Sequence, residues 1–421
     1  MKLQNLISKL QQKHPKKIDL TLDRTFNLLK KLGNPQDNLR NVISVVGTNS
    51  KYSICQILKA ILNQANYKCN LYLSPHLQSY TERFVYNNEE VSDEILIDLL
   101  KDIEKKLDND QATLFEILTC AYLKYCEEFK ENITLIEAGL FHQFDSTNVF
   151  KKNLGSIIGS IGIDHLQWLK NKTLEGIIHE KTVSLLNSNI FVNKQDSLKT
   201  ALKIENGLKK NKSKKFFFKK DFNILKVENS FIQYEDSEGT IILPEPNILG
   251  NHQLGNISTS IVTARKLFNI KDQDIKTGIT KINLKGRLQE IKSGKLKKLV
   301  GSNRLICDGG HNINSSTVIA EWVKEQNQDV HIVIGMMKDK NHRDFIESFK
   351  KNAKSISLID IPNQKGSISK EELKSKLNDI TDKIYLRNSI EESIRSMNSY
   401  KNNICLITGS LYLVGEVLNL N

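Results

Sequence analysis

Apolar positions along the chain fall alternately into short continuous runs and into stripes of helical period, the pattern of strands joined by helices. Asn41–Val46 (NVISVV) is a run rich in Val and Ile that stops at Gly47, and a helical stripe from Ser53 to Gln64 follows it. Cys69–Leu73 predicts a second strand. Helices over Ser92–Lys106 and Ala112–Phe129 then lead to a third strand at Ile133–Ala138. Ser156–Gly162 and Asn189–Val192 predict two more, separated by a helix containing Glu175–Leu186. Between Lys214 and Leu243 the rhythm changes to short alternating strands with polar turns such as Asp236-Ser237-Glu238-Gly239, which predicts an antiparallel appendage, and a helix over Gly255–Leu267 comes next.

From Arg304 a second series begins. Strands at Leu305–Cys307, Val330–Ile334, Ile356–Ile361, Lys383–Leu386 and Ile404–Ile407 alternate with helices at Ser315–Glu325, Arg343–Asn352, Lys370–Leu377 and Ile390–Asn398. Such alternation predicts the α/β class with parallel sheets. The 421 residues suffice for two cores. The expected division is residues 1–284, a large parallel-sheet domain with a small antiparallel appendage, and residues 285–421, a smaller Rossmann-like α/β domain.

Composition narrows the class. No run approaches the roughly 18 apolar residues of a membrane span. Met1–Lys17 alternates Leu and Ile with Lys and Gln, so it reads as a helix and not as a signal peptide, and a cytoplasmic location with no membrane partner is expected. The six cysteines form no CxxC pair, and several sit in apolar runs, which suits free buried thiols in a reducing compartment. The net charge of +13 fits nucleic acid, an anionic substrate or nothing specific. Its densest run, Lys209–Lys220 (KKNKSKKFFFKK), reads better as an edge strand protected by lysines, so no nucleic-acid partner is predicted.

Candidate chemistry begins where the first strand ends. Gly47-Thr48-Asn49-Ser50-Lys51-Tyr52-Ser53 joins that strand to a helix N-terminus, a place where backbone N–H groups, the helix dipole and a lysine can meet a phosphate. It is not a full Walker A motif, because Ser50 stands where a glycine would precede the lysine and the hydroxyl, Ser53, comes one position late. A left-handed Ser50 would cost about 1–2 kcal/mol. An ordinary β–α turn with a solvated lysine is the alternative for the loop alone. Ser74, Glu137 and His165, however, each fall at or just past the end of a strand, where open α/β sheets bind ligands. A hydroxyl, a carboxylate and an imidazole beside a phosphate loop suit magnesium and nucleotide.

The ordered set Gly47-Thr48-Asn49-Ser50-Lys51, Ser74-Pro75-His76-Leu77, Leu114-Phe115-Glu116, Glu137-Ala138-Gly139-Leu140, Asp145-Ser146-Thr147-Asn148, Gly162-Ile163-Asp164-His165, Glu180-Lys181, His252-Gln253, Asn256, Gly286-Arg287, Asp308-Gly309-Gly310-His311-Asn312 and Thr408–Glu416 resembles the folylpolyglutamate synthase/dihydrofolate synthase family of the Mur ligase superfamily. The resemblance runs from Ile18-Asp19-Leu20 to Gly415-Glu416. It implies a P-loop-type ATP-binding large domain in which Lys51 and its loop hold the β- and γ-phosphates. It further implies that Ser74 and Glu137 bind one magnesium ion and His165 a second, with Lys181 falling where the family carries a carbamylated lysine. Asn256, Arg287 and Asp308 would contact the nucleotide, with the small domain closing over the large one. Arg24, Leu114, Phe115, Glu116, Phe144, Asp145 and Ser146 would line the pteroate pocket. The implied catalytic set is Lys51, Lys181 and His165.

Some positions depart from that pattern. Ser50 and Tyr52 replace glycines, Phe141-His142-Gln143 replaces Gly-Gly-Arg after Gly139-Leu140, and Thr182-Val183 replaces Ala-Gly after Lys181. Two readings follow. One is an ATP-dependent ligase, expected to be monomeric, that joins L-glutamate to dihydropteroate or a reduced folate through an acyl phosphate. The other is a divergent member that binds nucleotide or folate without turnover.

Overall fold

The computed structural model describes residues 2–14, 20–226, 231–377, 382–397 and 399–421. Of the expected segments, the tail of the first helix at 15–17, the opening of the family resemblance at Ile18-Asp19 and the helix end at Asn398 lie outside the described residues.

The first strands in the chain are β1 (Asn41–Val46), β2 (Cys69–Tyr72), β3 (Phe84–Tyr86), β4 (Glu89–Glu90), β5 (Ile133–Glu137), β6 (Gly155–Ile158), β7 (Asn189–Val192) and β8 (Lys215–Phe217). They form one sheet in the order β4-β3-β2-β5-β1-β6-β7-β8. The run from β2 to β8 is parallel, and β3 and β4 add an antiparallel edge. β1 sits centrally, with Val45 opposite Glu137 of β5 and Val46 opposite Ile158 of β6. Parallel strands need crossovers, and burial on both faces explains why β1 reads as a continuous apolar run.

The stretch expected to be an antiparallel appendage divides in two. β8, from the lysine-rich run, joins the parallel sheet as its last strand, and Phe216 stacks on Phe191 of β7 with ring centroids 5.1 Å apart. Only β9 (Phe222–Lys226), β10 (Ile232–Asp236) and β11 (Gly239–Leu243) form the separate antiparallel sheet. The helix Leu198–Gly207 between β7 and β8 supplies the crossover that makes a parallel pairing possible. The small sheet is tied to the helix Gln253–Leu267 by Arg265, whose guanidinium is 3.0 Å from Asp236 and 3.2 Å from Glu238.

The remaining strands are β12 (Gln289–Glu290), β13 (Arg304–Cys307), β14 (Val330–Ile334), β15 (Ser355–Leu358), β16 (Ile384–Leu386) and β17 (Ile404–Thr408). Their order is β12-β13-β17-β14-β15-β16, parallel except for β12. The chain separates into two compact units, Met1–Asn247 with Leu254–Ile282, and Ile248–Gln253 with Asn283–Asn421. The excursion at 248–253 is a crossing that a linear reading of the sequence does not contain.

Helix starts follow from their caps. Thr113 and Glu116 form a reciprocal capping box, so the helix begins at Leu114 and not at Ala112. Ser92, Asn312 and Ser410 accept first-turn amides in the same way. All six cysteines are buried and free. Among the described residues no helix is long and apolar enough to cross a membrane.

The helix Lys51–Gln64 is held in place by the helix Asp272–Ile279. A Cβ on Gly278 would lie 2.7 Å from the Cα of Ile61 and 3.0 Å from the carbonyl oxygen of Ala60, so backbone lies against backbone there. Gly278→Ala is therefore expected to force the helices apart and destabilise the first unit by about 1–3 kcal/mol. A lowered urea midpoint at unchanged slope would register this; an unchanged midpoint would mean that the contact yields freely.

Candidate active site

Four loops leave the carboxyl ends of the neighbouring strands β2, β5, β1 and β6, and they carry most of the residues singled out above. The loop after β1 is built from backbone constraints. Gly47 has φ +153° and Ser50 has φ +73°, so Ser50 adopts the left-handed conformation that a serine enters only at a cost of about 1–2 kcal/mol. Thr48 and Asn49 both donate their amides to the carbonyl of Ser160, at 2.9 and 3.0 Å. Thr48 Oγ1 also bonds Gly162, donating to its carbonyl at 3.0 Å and accepting from its amide at 3.1 Å. The loop thus lies flat on the segment after β6. Gly159 makes this approach possible, since a Cβ there would stand 2.6 Å from the carbonyl oxygen of Asn49. Lys51 opens the helix immediately afterwards, at the end where a helix dipole favours anions.

Two ammonium groups converge on one carbonyl. Lys51 Nζ donates to Gly47 O at 3.2 Å and to Thr48 O at 3.4 Å, while Lys181 Nζ donates to the same Gly47 O at 2.8 Å. Glu137 joins them, with Oε1 3.9 Å from Lys51 Nζ and Oε2 accepting the amide of Ser74 at 3.1 Å. Lys51, Ser74, Glu137 and Lys181 are therefore one cluster. Lys181 is 5% exposed, and burial together with the charge of Lys51 lowers its pKa from 10.5 to about 7.

His165 joins the cluster through Phe141. The Phe141 ring lies 5.5 Å from Lys181 Nζ and 6.5 Å from the His165 ring. Phe141 has φ +56° and His165 also has φ +56°. His165 Nε2 is 3.9 Å from Asp164 Oδ2. His142 is buried beside this group, and its pKa is pushed down to about 4 by burial first and by Lys181 second. The amide of Gln143 donates to Glu180 O at 3.1 Å, which ties the 141–143 segment to the helix Leu174–Thr182 that carries Lys181.

The expected pteroate-pocket residues divide by role. Phe115 and Asp145 flank Gly139, where a Cβ would meet the Phe115 ring at 2.6 Å and Asp145 Oδ2 at 3.2 Å. Asp145 is buried and organises its own loop, accepting from Leu140 N at 2.6 Å and from Thr147 N and Oγ1 at 3.0 and 2.5 Å. Ser146 is buried, Leu114 half-buried and Phe144 exposed. Glu116 is committed to the fold: Oε2 accepts the amide of Thr113 and Oε1 accepts both Nε and Nη2 of Arg24, at 3.1 and 3.0 Å. Glu116 thus aims Arg24.

One arrangement in the same unit was not read from the sequence. In the loop after β2, Arg83 Nε donates to His76 Nδ1 at 2.9 Å, and Tyr80 packs on the His76 ring at 4.1 Å. An arginine can only donate, so the neutral His76 carries its proton on Nε2. Burial, with Arg83 second, drives its pKa down to about 3.

In the second unit, Asp308 accepts from Leu288 N at 2.8 Å and Gly310 N at 2.7 Å, and Gly309 N donates to Gly286 O at 2.9 Å. Arg287 Nη1 donates to Gly286 O at 2.9 Å. His311 Nδ1 is 2.9 Å from Gly309 O. Asp308 therefore pins the Gly286–Leu288 turn to the start of the Asp308–Asn312 loop, with Gly409 (φ +107°) bonding Gly310 O from the end of β17.

The class these features define is a two-unit α/β protein with a strand–loop–helix turn, rich in basic side chains, at the centre of its first sheet. Residues 292–420 match the family model described as dihydrofolate synthetase, C-terminal domain. The dihydrofolate synthase/folylpolyglutamate synthase of Bacillus subtilis is 28% identical over 417 residues, 94% of each chain. Among solved structures, Escherichia coli FolC in complex with DHPP and ADP superposes with a TM-score of 0.86 at 24% identity, covering 100% of this chain and 97% of that one. The bifunctional folylpolyglutamate synthase/dihydrofolate synthase of Yersinia pestis, complexed with AMPPNP and a manganese ion, gives a TM-score of 0.87 at 22% identity, covering 100% and 98%. Over nearly its whole length the chain is similar to dihydrofolate synthase/folylpolyglutamate synthases, and its residues 292–420 match the dihydrofolate synthetase C-terminal domain.

The Lys181 environment has a pH signature. Between about pH 7 and 10.5 the unfolded chain holds a proton on this lysine that the folded chain releases, so stability rises with pH across that window. Lys181→Met should remove up to about 1.4 kcal/mol per pH unit of that slope. Urea unfolding of both proteins at several pH values reads it, and parallel curves would show that Lys181 stays protonated in the fold.

Proposed function

We propose that this chain is an ATP-dependent ligase that adds L-glutamate to dihydropteroate, to reduced folates, or to both, acting as a monomer on small molecules. The observation that carries the reading is the convergence of Lys51, Glu137, Ser74 and Lys181 at the carboxyl end of β1 in a chain that aligns with the Bacillus synthase over 94% of its length.

In this reading Lys51 exchanges its bonds to the loop carbonyls for the β- and γ-phosphates of ATP, aided by the helix N-terminus behind it. The substrate carboxylate attacks the γ-phosphorus, and the bond to the ADP oxygen breaks, giving an acyl phosphate and ADP. Positive charge already in place stabilises the charge spread over the transferring oxygens. The amine of L-glutamate then attacks the acyl carbon, the amide forms, and inorganic phosphate leaves. Asn256, and within the second unit Arg287 and Asp308, are proposed nucleotide contacts. Phe115, Phe144, Asp145, Ser146, Leu114 and Arg24 are proposed to bound the pteroate, with Glu116 aiming Arg24.

The oxygen donors suit a hard cation: Glu137 is a buried carboxylate that accepts the backbone amide of Ser74, a residue whose hydroxyl is the second donor. Ser74 and Glu137 would hold one magnesium ion, with His165 and carbamylated Lys181 at a second, and the metal would offset phosphate charge. Carbamylation needs a neutral amine, which then takes up carbon dioxide and loses one proton. The depressed pKa of Lys181 supplies that amine near neutrality.

Phosphate release by the purified chain should require Mg-ATP, L-glutamate and dihydropteroate or tetrahydrofolate together. It should fall by at least about a hundredfold in Lys51→Ala, given the 10²–10³ cost of losing one transition-state charge contact. Folded protein that releases no phosphate with any combination would make the chain a binding protein without turnover. Separately, labelling with ¹³C-bicarbonate should give one carbamate resonance that is absent in Lys181→Met; no such resonance in the active protein would remove the carbamate from the site.

A further inference from the structure

At the carboxyl end of β7, Asn193 is 3% exposed and Asn256, in the first turn of the helix Gln253–Leu267, is 2% exposed. The orientation of both amides can be worked out from donors that have no choice. The backbone N–H of Lys194 can only donate, and it bonds Asn193 Oδ1 at 2.8 Å. Thr259 Oγ1 reaches the same oxygen at 2.9 Å. The other end of the Asn193 amide is therefore its NH2, which donates to the side chain of Asn256 at 2.8 Å, so the atom facing it must be Oδ1. The NH2 of Asn256 is consequently the edge turned away from Asn193.

The support extends to the phosphate loop. Gln195 Nε2 donates to Asn193 O at 2.8 Å and to Gly159 O at 3.0 Å, while its Oε1 accepts Ile161 N at 2.9 Å. The adjacent Ser160 carbonyl receives Thr48 and Asn49. One turn beyond Asn256, Ser260 Oγ reaches Ile54 O in the first turn of the Lys51 helix at 3.5 Å. Asn256 is thus fixed in place and in orientation relative to the loop that would take the phosphates.

We propose that Asn193 is a positioning residue for nucleotide binding: it locks the Asn256 amide so that a donor edge, and not a carbonyl, faces the anionic nucleotide. The inference rests on the assignment of Asn256 as a nucleotide contact. Without Asn193 the Asn256 carbonyl oxygen loses the donor that turns it away from the nucleotide.

The test uses the full chain, ADP binding by calorimetry, and the KM values for ATP and dihydropteroate. Asn256→Ala should weaken ADP about tenfold, the loss of one charge-assisted hydrogen bond. Asn193→Leu, close in volume and without polar atoms, should weaken ADP comparably, raise the KM for ATP and leave that for dihydropteroate in place. The double variant should be no worse than about twofold beyond either single one, because both remove the same contact. Should Asn193→Leu fold poorly, Thr259→Val removes one anchor of the same amide and should still weaken ADP by about two- to threefold. If Asn256→Ala binds ADP normally, the assignment of Asn256 falls and this inference with it. If Asn256→Ala is impaired but folded Asn193→Leu or Thr259→Val binds ADP as the parent does, or the double variant is additive, the positioning role alone is overturned.

Discussion

The Gly47 carbonyl accepts hydrogen bonds from two lysines at once, and the electrostatics of the site follow from that crowding. Two ammonium groups held on one oxygen repel each other, and the enclosed position denies them the water that would soften the repulsion. Glu137 answers part of this charge, at 3.9 Å from Lys51, and the charges of Asp164 and Asp145 favour the protonated Lys181. Burial and Lys51 outweigh them, so Lys181 releases its proton more easily than an exposed lysine does. The chain's overall charge of +13 says less about this than the local arrangement does.

Holding the loop so that both lysines reach one carbonyl requires backbone to approach backbone. Gly159 lets the segment after β6 lie against Asn49, and Ser160 takes two amides of the loop into its carbonyl. Gly278 does the same for the helix that Lys51 begins, by bringing Asp272–Ile279 against Ile61. The site is therefore positioned by contacts one layer behind the groups that would meet a ligand. A displacement there would move Lys51 relative to Glu137, and catalytic geometry tolerates little of that.

The sequence reading reached the parts of the fold and site that local rules govern. β1, β5 and β7 are short Val- and Ile-rich runs bounded by turns, so strand ends could be placed, and Lys51, Ser74 and Glu137 then fell at one sheet edge. The destination of β8 was not legible, because Lys215–Phe217 carries no mark of the partner it chooses; pairing with β7 depends on the crossover and on Phe216 meeting Phe191. The family resemblance, and no local pattern, set Glu116 beside the pteroate pocket. The occupation of Glu116 by Thr113 and Arg24 is a matter of capping geometry and of a residue 92 positions away. Asn193 was invisible for a related reason: an asparagine after a strand ordinarily signals a turn, and its partner Asn256 lies 63 residues on.

The departures from the family pattern acquire a physical meaning in this setting. Ser50 and Phe141 stand where the family resemblance expects glycine, yet both keep positive φ, at +73° and +56°. The backbone path is thus dictated by its surroundings: Ser50 by the clamp of Thr48 and Asn49 on Ser160, and Phe141 by Asp145 holding Leu140 N and by Gln143 holding Glu180 O. Each side chain costs about 1–2 kcal/mol of conformational strain, which a fold keeps only where neighbouring bonds over-determine it. The Phe141 ring lies 5.5 Å from Lys181 Nζ and 6.5 Å from the His165 ring. A ring in that place also excludes water from Lys181, and exclusion of water is what lowers the lysine's proton affinity. The phenylalanine therefore leaves the path of the loop intact while deepening the burial of the amine on which the site's charge balance turns.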